Sequence, residues 1–221
     1  MAGETLKTTA VCLAIHPWSR TSHVVAWLTP RGRVMTVVKG AVRPKSAFLG
    51  QYDLNYTCEI VYYARAKGEL HALRECVPLD LREPLRGDYR ALVLADYLRT
   101  LAGALAPAGP DGAAWFDLLD GALSELTGRA TVARLLFYEL RVLALLGLSP
   151  ELEAEAGAFA LRGERRIPIS REVADCLRAP LDERNPQTVF DAARAIGVYY
   201  QLHVDCASDV RRTVVGMISK H

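Results

Sequence analysis

Apolar and polar residues alternate with a period of two through most of the first 80 residues. Thr9, Val11, Leu13 and Ile15 alternate with Ala10, Cys12 and Ala14 until Pro17-Trp-Ser-Arg20 interrupts the run. Residues 24–29 read as a second strand and 34–39 as a third, with 30–33 as the turn between them. In 54–63, Leu54, Tyr56, Cys58, Ile60 and Tyr62 share one face, opposite Asn55, Thr57 and Glu59. Lys67-Gly68 then turns the chain into a fifth candidate, 69–75. Such alternation marks half-buried strands. Five short strands in about 75 residues predict a small closed barrel of the OB type.

From about residue 88 the period becomes helical. Residues 89–102 form an amphipathic helix halted by the loop 107–112, and 113–126 form a second that ends before Gly128. The third, 131–146, carries Leu135, Leu136, Tyr138, Leu140, Leu143 and Leu146. Gly147 and Pro150 are its stop signals. With so few polar residues, it belongs at the centre of a bundle. Residues 151–170 read as an acidic turn followed by a hairpin around Arg162-Gly-Glu164. Ser170 caps a short helix to Arg178, Pro186 opens a long one through Cys206, and Ser208 begins the last, to Met217. The fold class is therefore α+β: an OB barrel over 1–80 and an all-α helical domain over 81–221.

Composition narrows the picture. The chain has 221 residues, 51% hydrophobic and 24% charged, enough to bury a core without metal or disulfide staples. Its five cysteines form no C-x-x-C pair and read as reduced, buried thiols. No apolar run approaches the roughly 20 residues that span a bilayer, and the expected location is the cytoplasm. The net charge is only +2, but it is unevenly placed. Lys7, Arg20, Arg31, Arg33, Lys39, Arg43 and Lys45 face a single acid, Glu4, in the first fifty residues. That leaves 20 of the 27 basic residues against 24 of the 25 acidic ones elsewhere. The asymmetry predicts a basic face on the barrel.

The cations of that face lie on Leu28-Thr-Pro-Arg-Gly-Arg-Val-Met-Thr-Val-Val-Lys-Gly-Ala-Val-Arg-Pro-Lys-Ser46. Arg31 and Arg33 flank the glycine of a turn; Lys39, Arg43 and Lys45 follow where the strand opens into a loop. Cations fixed by strands suit a phosphate backbone, each displacing condensed counterions. Of the nearby aromatics Trp18, Trp27, Phe48 and Tyr52, which could stack on bases, Phe48 and Tyr52 follow the loop directly and are the better candidates; Trp27 alternates with Val25 and reads as core. In the helical part, Arg134 and Arg141 are seven apart and share a face, able to rim an apolar groove for an acidic tail.

Catalytic signatures are missing from the sequence. There is no phosphate-cradling G-x-x-x-x-G-K-[ST], no G-x-G-x-x-G, and no G-x-S-x-G elbow. The five histidines are scattered, and Asp117/Asp120 and Asp182/Glu183 read as solubility charges rather than a metal-gathering carboxylate set. The expectation is a non-enzyme without metal or cofactor.

The chain resembles the bacterial DNA repair protein RecO family along nearly its whole length. The strongest piece is Val24-Val-Ala-Trp-Leu-Thr-Pro-Arg-Gly-Arg-Val-Met-Thr-Val-Val-Lys-Gly-Ala-Val-Arg-Pro-Lys-Ser46, similar to the family's apolar run, Gly turn and Lys-Gly-Ala-Arg-x-x-x-Ser. Phe137-Tyr-Glu-Leu-Arg-Val-Leu-Ala-Leu-Leu-Gly-Leu-Ser-Pro150 resembles its Phe-Glu-x-x-Leu-Leu-x-x-Leu-Gly-x-x-Pro. The resemblance implies an OB barrel with a helical domain and binding to single- and double-stranded DNA. It also implies annealing of complementary strands, and work with RecR and RecF to load RecA onto strands coated by single-strand binding protein. Lys39, Arg43 and Lys45 match the family's basic loop. Many relatives carry a four-cysteine zinc site soon after the second motif. Residues 151–160 here contain no cysteine, so the chain resembles the zinc-free branch. The competing expectation is a protein-interaction adaptor whose basic loop grips an acidic partner.

Overall fold

The computed structural model describes residues 4–65, 68–155, 158–162, 166–181, 185–204 and 208–219. Lys67, Gly163, Glu164, Asp182, Glu183 and Cys206, singled out in the sequence, lie outside these. The chain divides into two compact units, Met1–Gly87 with Leu98–Glu125, and Asp88–Tyr97 with Leu126–His221.

The first unit is built on five strands: β1 (Glu4–Ser19), β2 (Ser22–Thr29), β3 (Gly32–Val38), β4 (Thr57–Ala64) and β5 (Leu70–Asp80). They close into a barrel in the order β1-β2-β3-β5-β4, with β4 returning to β1 and β3 pairing in parallel with β5. The predicted five-stranded OB-type barrel is thus the fold observed. Inside it pack Ala10, Cys12, Val25, Trp27, Val38, Cys58, Ile60, Tyr62, Leu73 and Cys76. Trp27 is fully buried, and its Nε1 donates to Thr36 Oγ1 at 2.9 Å, so the polar edge of the indole is satisfied inside the core.

β1 departs from simple alternation. Ala10, Val11, Cys12 and Leu13 are all buried, because the strand has two covered faces. Ala10 and Cys12 point into the barrel. On the outside lies α3 (Ala113–Glu125), which packs on β1, β2 and β3. Arg82 clamps this arrangement within the first unit. Its guanidinium reaches Thr57 Oγ1 at 2.8 Å, Ser124 Oγ at 2.6 Å, Asp80 at 2.8 Å, and Asp120.

A short helix α1 (Glu83–Gly87) precedes α2 (Tyr89–Leu105). The second unit takes the first half of α2 and adds α4 (Val132–Leu145), α5 (Arg171–Arg178), α6 (Pro186–His203) and α7 (Ser208–Ile218). The helix starts follow from the sequence: Thr131, Ser170 and Asn185 each accept a backbone N–H at the N-cap, and Pro186 occupies the first turn of α6. As its composition predicts, α4 is central, with Leu135, Leu136, Tyr138, Val142 and Leu143 buried.

This unit is helical, as predicted, but not purely α. β6 (Glu151–Glu155), β7 (Ala158–Arg162) and β8 (Ile167–Ile169) form a three-stranded antiparallel sheet. The hairpin read from the sequence corresponds to β7 and β8; β6 replaces the acidic turn. Alternate carboxylates of β6 meet cations from its neighbours, with Arg162 near Glu151 at 3.3 Å and Glu153 at 3.6 Å, and Arg166 near Glu153 at 3.4 Å. No helix among the described residues is long and apolar enough to cross a membrane.

Candidate nucleic-acid interface

The loop after β3 is a fixed object rather than a slack connection. Gly40 adopts φ +66°, a left-handed backbone that glycine accepts without steric cost, and turns the chain so that Arg43 N–H donates to the Gly40 carbonyl at 3.1 Å. The Gly40 N–H donates to Ser22 Oγ at 3.2 Å and the Val42 N–H to the Thr21 carbonyl at 3.3 Å. These bonds stitch the loop to the β1–β2 hairpin. Ala41 is buried against the barrel core. Beyond it, Ser46 N–H donates to the Arg43 carbonyl at 2.9 Å and Gln51 N–H to the Phe48 carbonyl at 3.1 Å.

On this scaffold Lys39, Arg43 and Lys45 are exposed. Among the described residues none of the three forms an ion pair. The nearest acid in sequence, Asp53, is engaged elsewhere: Arg86 holds it at 2.9 Å and also donates to the Tyr56 hydroxyl at 3.0 Å. The loop therefore presents three cations whose charge no acid among the described residues cancels.

Arg31 and Arg33 are also exposed, but their turn is docked. The Arg33 N–H donates to the Pro107 carbonyl and the Gly109 N–H to the Arg31 carbonyl, each at 3.2 Å, with Gly32 bridging to Ala108. The Arg33 guanidinium donates to the Gly103 carbonyl at 2.7 Å. Arg31 remains on the surface at the turn, whereas Arg33 has a structural duty as well as a charge.

Phe48 and Tyr52, the proposed stackers, pack toward the barrel core. The Tyr52 ring meets Trp27 edge-on at 6.0 Å, and its hydroxyl lies 2.9 Å from His23 Nδ1. Burial raises the Tyr52 hydroxyl above its usual pKa. The Gln51 carbonyl beside it accepts from the thiols of Cys58 and Cys76 at 3.6 and 3.5 Å. Burial raises the Cys12 thiol far above its ordinary range, and hydrogen bonding to Cys76 followed by burial does the same for Cys58. These are core thiols without nucleophilic character.

In the helical unit Arg134 is half-buried in the first turn of α4, while Arg141 is exposed with its guanidinium 5.6 Å from the Phe137 ring centroid. Neither lines the groove of about 310 Å³ between α6 and α7, which is bordered by Phe190, Arg194, Val198, Arg212 and Val215. Sequence reading missed what the middle of α4 does. Glu139 is fully buried and receives Arg211 on both oxygens, at 2.7 and 2.8 Å, and the Tyr97 hydroxyl at 2.8 Å. Burial first, and then the Glu139 carboxylate, push the Tyr97 hydroxyl well above its ordinary value. Arg211 is therefore an internal strut. Among the described residues no three His, Cys, Asp or Glu side chains gather as metal ligands would.

A closed five-stranded barrel bearing a pinned basic loop, in a chain that continues into a helical unit, defines the OB-fold class of two-part proteins. Two family models match along the chain: "Recombination protein O N terminal" over residues 1–82 and "Recombination protein O C terminal" over 86–206. The chain belongs to the RecO family. Curated relatives named DNA repair protein RecO include those of Moorella thermoacetica, 30% identical over 72% of this chain, and Roseiflexus sp., 29% identical over 74%. A third, from Rhodopirellula baltica, is 32% identical over 73%. The matched segments span 60%, 58% and 61% of those relatives' own lengths.

Proposed function

We propose that this protein is a non-enzymatic recombination mediator of DNA repair, acting in the cytoplasm at the nucleoid. It binds single- and double-stranded DNA, anneals complementary strands, and helps RecR and RecF load RecA onto strands coated by single-strand binding protein. The observation that carries the reading is the exposed set Lys39, Arg43 and Lys45, held on a hydrogen-bonded loop with no acid partner among the described residues. Such a set releases counterions from a phosphate backbone. Engaging two backbones at once lowers the repulsion between strands, which is the physical basis of annealing. In the helical unit, the acidic C-terminal tail of single-strand binding protein meets the face carrying Arg134 and Arg141.

A titration of short DNA at several salt concentrations tests this. The double variant K39A/R43A is expected to bind more weakly, with the slope of log K against log salt reduced by about 0.7–0.9 for each phosphate that the variant no longer neutralises. An unchanged slope would remove the loop from the interface. Absence of DNA binding by the native protein, together with loop-dependent capture of an acidic protein, would establish the adaptor reading instead. For the tail, R141A should weaken the affinity of an acidic tail peptide; undiminished binding would move the tail off this face.

A further inference from the structure

Trp18 sits at the tip of the β1–β2 hairpin, where residues 16–20 are all exposed. It is 63% exposed, whereas the chain's other two tryptophans, Trp27 and Trp115, are 0% and 4% exposed. A tryptophan left in water gives up the burial that normally makes this residue worth having, and no fold role in the barrel accounts for it. Its surroundings are cationic. Arg20, two residues on, is exposed and forms no ion pair among the described residues. The same hairpin is stitched to the basic loop by Gly40 N–H to Ser22 Oγ at 3.2 Å and Val42 N–H to the Thr21 carbonyl at 3.3 Å. An open indole and the cations Arg20, Lys39 and Arg43 therefore ride on two segments hydrogen-bonded to each other on the same barrel. Phe48 and Tyr52 are half-buried against the core and offer less open aromatic surface than Trp18.

We propose that Trp18 is a base-stacking platform, so that the hairpin tip engages the bases of a single strand while the neighbouring loop holds its phosphates. The inference rests on the DNA-binding reading above and adds a preference to it. Unpaired bases offer a free π-face to an indole, whereas those of a duplex are already stacked on each other. Phosphate neutralisation carries the salt dependence; stacking carries almost none.

Because Trp18 is the one tryptophan of the three in water, its emission reports on the site directly. Titration with a short oligothymidylate is expected to quench it, and a duplex of equal length is not. The variant W18A should bind the single strand about 5- to 150-fold more weakly, as removal of one stacked base implies. It should keep the native salt slope and the native duplex affinity. W18F, which retains an aromatic face, should recover most of the single-strand affinity. Unchanged emission on binding, with W18A as tight as the native protein, would overturn the stacking role and leave the loop's role standing. A native protein that binds neither DNA would overturn both, and a W18A defect confined to capture of an acidic protein would reassign the tip to a protein partner.

Discussion

The backbones of Gly32 and Gly112 are in direct contact: a Cβ added to Gly112 would lie 2.1 Å from the Gly32 Cα. Gly32 opens β3 directly after the β2–β3 turn, and Gly112 closes the loop between α2 and α3. Gly32 also has φ +91°, and a Cβ built on it would stand 2.5 Å from the Gly109 nitrogen. Neither position has room for a side chain. Gly112→Ala is expected to destabilise the first unit by about 1–3 kcal/mol, the ordinary cost of overpacking. A lowered urea midpoint with an unchanged m-value is the expected readout.

The Glu139–Arg211 pair joins α4 to α7 inside the second unit, with Arg211 also donating to the Ala193 carbonyl at 2.7 Å. Removing one partner leaves an uncompensated buried charge. Glu139→Ala and Arg211→Ala should each cost about 3–5 kcal/mol in chemical unfolding. The double replacement E139L/R211M should cost much less than the sum of the two.

Asp88 caps α2, its carboxylate accepting from the Ala91 N–H at 3.0 Å and the Gly128 N–H at 2.7 Å. These backbone bonds hold its pKa below the ordinary value of 3.8. The folded state keeps the carboxylate charged to lower pH than the unfolded chain does. Its contribution is therefore complete above the unfolded pKa and fades as the pH falls through the lower folded one. Asp88→Ala should cost about 1 kcal/mol at neutral pH. The gap between native and variant should close on acidification below the carboxylate range, as read from unfolding midpoints at a series of pH values.

The exposed cations separate into two kinds. Arg33 donates to the Gly103 carbonyl at 2.7 Å, whereas Lys39 and Arg43 hold no such bond among the described residues. Arg33→Ala should lower stability by about 0.5–1.5 kcal/mol. Lys39→Ala and Arg43→Ala should stay within about 0.5 kcal/mol of the native protein. Thermal unfolding of the three single variants decides this without any DNA present.

Much of the fold was legible because it rests on local periodicity. The alternation of Cys58, Ile60 and Tyr62 set the inward face of β4, and Thr131, Ser170 and Pro186 marked helix starts that the structure keeps. The rest depends on residues distant in sequence. Period two cannot show that Val11 and Leu13 are buried along with Ala10 and Cys12, nor that β1 continues through Pro17 and Trp18 to Ser19. Leu54, aligned by pattern with the inward residues of β4, is exposed because the strand begins only at Thr57. The sheet of β6, β7 and β8 has strands of three to five residues, too short for alternation to register. The basic loop was visible as an excess of charge. That Tyr52 turns inward follows from His23 and Trp27, 29 and 25 positions away, which no local pattern reports. Glu139 lies two residues before Arg141 in the sequence, yet the guanidinium that claims it lies 72 residues further on.

Through the parallel pairing of β3 with β5 and the antiparallel pairing of β4 with β1, the ring of strands ends where it begins. Pairing around the ring leaves fewer vacant main-chain donors and acceptors for a foreign strand to extend than an open sheet would. Recruitment then falls mainly to the side chains on the turns, which selection can retune residue by residue while the ring beneath stays untouched.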